Sequence, residues 1–202
     1  MNKTIITTLG IAVLLYLVGT LLNIASANAQ EYRAPNNFYN YYGAIKGAVP
    51  GFAKKPKYFD ALDATEQLRY LYNVEGVRLI ISLDHCEDMT KVIDNLNEKY
   101  VGIDLKHVCR KIYRNSKDRY YEKNIKLFEE VANAIENTIF FIHCRYGAHR
   151  AVTALTGGWI ASKNLSFKEA FKRAGGKTRA FRSKGQKGLL KHAKRYAKDL
   201  ME

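Results

Sequence analysis

The sequence predicts a single α/β domain on a mostly parallel central sheet flanked by helices, and three observations predict it. Val77-Arg78-Leu79-Ile80-Ile81-Ser82-Leu83 is a short β-branched run behind Gly76, the pattern of a buried strand. Ile139-Phe140-Phe141-Ile142 is apolar on both faces, as a central parallel strand must be. Around these lie segments with apolar residues at helical spacing, and strands alternating with helices build a parallel sheet.

Taken in order, the first thirty residues stand apart. Lys3 leads into an apolar run from Ile5 to Ile24 and then Ala27-Asn28-Ala29, the layout of a secretory signal cleaved after Ala29. The same run is long enough for an uncleaved anchor. Either version exports the domain, to the periplasm or the medium or tethered facing outward, because Lys3 is the sole charge ahead of the run. Residues 30–56, rich in Asn, Tyr and Gly, read as an irregular lead-in with one short strand near Tyr41–Ile45.

The main domain is expected over residues 57–174. Asp63–Asn73 carries Leu68, Leu71 and Tyr72 on one helical face, and Met89–Glu98 does the same with Val92, Ile93 and Leu96. Val101–Val108 reads as a further strand. Tyr120–Ile135 sets Ile125, Leu127, Phe128, Val131, Ala132 and Ile135 at helical spacing. Arg150–Ser162 and Ser166–Ala174 read as two more helices, the second with Ser166 as N-cap and Glu169 at N3.

Residues 175–202 form a basic terminal stretch with Lys177, Arg179, Arg182, Lys184, Lys187, Lys191, Lys194, Arg195 and Lys198. Leu189, Ala193, Tyr196 and Leu200 make one helical stripe, so the expectation is a helix packed on the domain with a solvated basic face. An anionic membrane surface is a candidate partner for that face.

The 202 residues suffice for one domain with a sizeable core, and the formal charge of +14 suits an anionic partner. Aromatic and basic residues show no organised platform, so no nucleic-acid partner is expected. His85, His107 and His192 show no metal-ligand spacing, so neither metal nor other cofactor is expected. Cys86, Cys109 and Cys144 are an odd set for an exported chain. The default reading of Cys86 and Cys109 is two unpaired structural cysteines, with a mutual disulfide or reversible capping of Cys144 as alternatives.

The informative stretch is His143-Cys144-Arg145-Tyr146-Gly147-Ala148-His149-Arg150. A buried strand ends at His143, a short loop turns, and a helix begins near Arg150. Loop amides and the helix N-terminus make an anion cradle, and a cysteine in that field is held as a nucleophilic thiolate. Arg150 can fold back and grip two phosphate oxygens, and Gly147 permits the turn. His143 is expected to orient the loop by hydrogen bonding, while Arg145, Tyr146, Ala148 and His149 line the rim.

This stretch resembles the signature of the cysteine-dependent protein tyrosine phosphatase superfamily: His-Cys, two residues, Gly, two residues, Arg. The chain is similar to the compact dual-specificity branch, especially its bacterial members, over roughly Asn36 to Ala174. Asn37-Phe38-Tyr39, Gly47-Ala48-Val49-Pro50, the stretch from Leu68 to Asp84 and the helices after the loop fit the branch. A rhodanese-type cradle also places Cys and Arg between strand and helix, but His143 and the loop length to Arg150 favour the phosphatase.

The resemblance implies attack by Cys144 on phosphorus, a phosphocysteine, and an upstream aspartate that protonates the leaving oxygen. Two departures stand out. Val108-Cys109-Arg110-Lys111-Ile112-Tyr113 holds no carboxylate, which leaves Asp118 as the favoured acid ahead of Asp104. Ala151 also occupies the place where the family carries Ser or Thr. Three functions follow: a tyrosine or dual-specificity protein phosphatase, a lipid or inositol-phosphate phosphatase, or a phosphate-binding module with weak turnover.

Overall fold

The computed structural model describes residues 33–51, 59–115 and 117–202, and Arg33–Glu202 forms one compact unit. The expected export signal or anchor lies outside the described residues. Among them, no helix is long and apolar enough to cross a membrane.

Five strands form one sheet: β1 (Tyr39–Tyr41), β2 (Ala44–Ala48), β3 (Leu79–Ser82), β4 (Lys106–Cys109) and β5 (Phe140–Cys144). Their order across the sheet is β1-β2-β5-β3-β4. β1 runs antiparallel to β2, and every other pairing is parallel. Among the described residues six α-helices flank it: α1 (Ala61–Asn73), α2 (Cys86–Lys99), α3 (Asp118–Asn137), α4 (Arg150–Lys163), α5 (Phe167–Arg173) and α6 (Lys184–Asp199). The α/β architecture expected from the sequence is therefore the one found.

Each face of the sheet holds its own core. Ile45, Ile80 and Phe141 pack with Leu68, Leu71, Met89, Ile93 and Leu96 of α1 and α2. Ala44, Ile81, Phe140, Ile142 and Cys144 pack with α3, α4 and α6. The alternation along β5 sends Cys144 to the second core, as the two-residue period of a strand requires. Every residue of α4 from Ala151 to Ile160 is buried. A Cβ on Gly157 would lie 2.1 Å from Cγ of Phe128, so this glycine lets α3 and α4 approach closely.

Several boundaries differ from expectation for local reasons. The lead-in holds a hairpin rather than one strand, because Tyr42 (φ 48°) and Gly43 (φ 82°) supply the two left-handed residues of a tight turn. The strand expected at Val101–Val108 begins only at Lys106. Residues 101–105 turn instead, with Gly102 at φ 90° and Val101 fully exposed. Asp60, ahead of the expected helix start, caps α1 by accepting from the amides of Leu62 and Asp63. The basic terminal stretch divides into a 3₁₀ turn at Thr178–Ala180 and α6, and α6 starts at a Ser183/Gln186 capping box. Leu200 falls beyond α6 and is exposed.

Candidate active site

β5 ends at Cys144, and residues 145–149 turn the chain into α4, which begins at Arg150. The turn is tight: the Gly147 amide donates to the Cys144 carbonyl at 3.0 Å, and Gly147 sits at φ 63°. A Cβ there would stand 2.3 Å from the Gly47 carbonyl carbon, so β2 leaves room only for glycine.

Among the described residues, the amides of Arg145, Tyr146, Ala148, His149 and Arg150 have no protein acceptor. Donors left open around a cysteine at a helix N-terminus form a nest suited to a multivalent anion. Cys144 itself is only 2% exposed. A cavity of about 440 Å³ reaches it, lined also by Asp84, Arg114, Arg145, Tyr146, His149 and Arg150.

Arg150 is held at the end of β3. Its Nη1 donates to the Leu83 carbonyl at 2.7 Å, and its Nη2 donates to an Asp84 carboxylate oxygen. A guanidinium has five N–H groups in a fixed fork, so these two bonds orient Arg150 and leave donors for a ligand. His149 Nε2 donates to the Ala180 carbonyl at 2.7 Å and its ring meets Phe181 edge-on, so the 3₁₀ turn steadies the loop rim.

His143, expected to orient the loop, makes its hydrogen bond away from it. It is wholly buried, and its Nε2 lies 2.7 Å from Ser82 Oγ, which lies 2.7 Å from His107 Nε2. The polarity of this chain follows from its far end. Thr90 Oγ1 donates to the Cys86 carbonyl, so it accepts from His107 Nδ1. With His107 neutral, Ser82 donates to His107 Nε2 and accepts from His143 Nε2. Burial, reinforced by the charges of His107, His85 and Arg150, pushes His143 down to about 3, and burial also lowers His107. The chain ties the strand that carries Cys144 to its neighbours β3 and β4.

Asp118 takes a different place from the one its proposed role needs. It opens α3, is 83% exposed and pairs with Arg195 of α6. It does not line the Cys144 cavity, whereas Asp84 does. Ala148 lines a separate cavity of about 160 Å³ with Asn37, Lys46 and Lys177. Cys86 and Cys109 form a disulfide with Cα atoms 5.7 Å apart, replacing the unpaired default, because the α2 start and the β4 end are brought side by side. Cys144 is the free cysteine among the described residues.

Asp84, Arg114, Lys46 and Asn37 were not legible as site residues. One signal did exist for Asp84: it follows a buried parallel strand, and sites in such sheets gather at the strands' carboxyl ends.

No family model matches the sequence, and no curated protein matches it. Solved structures do. Human DUSP28 superposes with a TM-score of 0.53 at 11% identity, covering 84% of this chain and 100% of its own. A mouse putative dual specificity phosphatase complexed with zinc tungstate gives 0.52 at 13%, covering 83% and 91%. Kinase associated phosphatase, with its catalytic-site cysteine replaced by serine, gives 0.53 at 17%, covering 84% and 98%. This chain therefore has the fold of the tyrosine and dual-specificity phosphatases.

Proposed function

We propose that the chain is a phosphomonoester hydrolase that works through a phosphocysteine on Cys144, with phosphorylated protein side chains as substrate. The observation that carries this reading is the set of open loop amides around a free cysteine at the mouth of an arginine-lined cavity. The Cys144 thiolate attacks phosphorus and the ester P–O bond breaks. Arg150 and the loop amides hold the equatorial oxygens. Asp84 is the carboxylate that lines the cavity; when the phosphate takes over Arg150, Asp84 takes up a proton from solvent and gives it to the leaving oxygen. Water then attacks the phosphocysteine, its proton returns to Asp84, and the P–S bond breaks to release the thiolate.

Arg114 and Arg145 on the same cavity favour, as a second reading, a more highly charged substrate such as a lipid or inositol phosphate. Export of the domain is supported by the Cys86–Cys109 disulfide, which suits an oxidising compartment. The test of the main reading is phosphate release from an aryl phosphate under reducing conditions. Cys144→Ser is expected to lower turnover by on the order of 10³ or more. Turnover surviving in that variant would overturn the mechanism, and no turnover in the wild type with phosphate analogues still bound would favour a binding module.

A further inference from the structure

We propose that Lys46 is a positioning residue for the Cys144 loop: from β2, its ammonium grips the Gly147 carbonyl from behind and places a positive charge on the turn that Cys144 opens. This rests on the proposed function only in taking the loop to be the anion site.

Lys46 is an unusual lysine. It lies in mid-β2 and is 6% exposed. Its Nζ donates to the Gly147 carbonyl at 3.2 Å and to the Asn37 carbonyl at 3.4 Å, and it stands 5.6 Å from the Tyr39 ring centre. None of these partners is a carboxylate. Among the described residues its hydrogen-bond acceptors are carbonyls alone, a costly setting for a buried cation. Burial holds the Lys46 pKa below the usual lysine range, with Cys144 acting against that shift and Lys177 adding to it.

The grip has a geometric consequence. In a trans peptide the carbonyl and the following N–H point in opposite directions. Holding the Gly147 carbonyl toward Lys46 therefore turns the Ala148 amide, which has no acceptor among the described residues, away from Lys46. Asn37 acts alongside, donating from Nδ2 to the Tyr146 carbonyl at 2.7 Å. Two successive loop carbonyls are thus taken up by the segment around β1 and β2. Gly47 completes the seat, because the Gly147 Cα packs directly on its carbonyl group. Gly175, at φ 63°, closes over the lysine stem, where a Cβ would stand 3.1 Å from Lys46 Cε. Nothing in this arrangement touches a substrate, so Lys46 acts through the loop.

The test uses the full chain as wild type, Lys46→Met and Lys46→Gln. Three quantities are read: tungstate affinity by calorimetry, the pH profile of Cys144 alkylation by iodoacetamide, and the melting temperature. Lys46→Met is expected to weaken tungstate by about tenfold or more and to move the alkylation profile to higher pH. Its melting temperature should hold or rise, because a buried charge has been removed. Lys46→Gln keeps a donor without the charge, so it should retain more affinity than Met while showing the same alkylation shift. A merely structural lysine would lower the melting temperature and leave the alkylation profile of the folded protein unmoved. Lys46→Met with wild-type affinity and alkylation overturns the proposal, and if that variant does not fold, the same result in Lys46→Gln does so. A wild type that binds tungstate but releases no phosphate sinks the hydrolase reading alone, with Lys46 still decided by affinity. A wild type that does not bind tungstate sinks both.

Discussion

One side of the Cys144 cavity comes from a single short stretch of chain, Cys144, Arg145, Tyr146, His149 and Arg150, in which strand end, turn and helix start follow each other directly. The other side is gathered from afar. Asp84 comes from the end of β3 and Arg114 from the segment between β4 and α3, while the Cys86–Cys109 disulfide ties the start of α2 to the end of β4. The first side is specified by spacing along the chain, so its chemistry can be read locally. The second is specified by which strands lie next to each other, a property that no window of sequence contains. The proposed nucleophile and its arginine belong to the first, and the candidate proton donor belongs to the second.

The largest expected effect probes that division directly. Asp84→Asn should lower kcat by about 10² to 10³, while Asp118→Asn should change it by less than about threefold, because Asp118 is engaged with Arg195 at the surface. Comparing phenyl phosphate with p-nitrophenyl phosphate sharpens the result. If Asp84 donates a proton, the loss is larger for the poorer leaving group. If Asp84 only steadies Arg150, both substrates suffer alike. A large loss in Asp118→Asn instead would return the acid to the position expected from sequence order.

A smaller effect tests the clamp on the gathered side. The disulfide spans a sequence separation of 23 residues and adjoins the segment that carries Arg114. Replacing Cys86 and Cys109 together by serine should cost about 3 kcal/mol, as measured by urea unfolding. It should also raise KM more than it lowers kcat, since Cys144 and Arg150 keep their own supports. An unchanged KM would show that the 110–114 segment is held by its other contacts, such as Tyr113 with Asn124.

The same contrast explains what was legible in the sequence. β3, β5 and α3 were visible because apolar periodicity marks buried elements whatever their neighbours. Gly147 and Arg150 were visible because a tight turn into a helix fixes the residues it needs. Lys46 was not, since a lysine in a strand reads as a solvent-facing charge until the fold buries it under Gly147. The disulfide was not, since cysteine spacing alone leaves pairing open. His143 was half legible: its place beside Cys144 was clear, but its partner Ser82 lies 61 residues away on a neighbouring strand.

That buried histidine gives the last and smallest effect. Native His143 is neutral, with its pKa pushed down to about 3, whereas in the unfolded chain it titrates near 6.5. Above about pH 6.5 neither state binds the proton, so this stability is fully present. Below that, the unfolded state takes up a proton that the native state refuses, so stability falls by about 1.4 kcal/mol per pH unit until the native pKa is reached. His107 and His192, also lowered by burial, act in the same direction. Urea midpoints at pH 7.5 and 5.5 should therefore differ, with the protein weaker at 5.5, in a range where ordinary carboxylates stay ionised. His143→Gln should reduce that slope. A midpoint constant across the range would mean that His143 accepts a proton in the native state, at the buried Nδ1 that has no hydrogen-bond partner among the described residues.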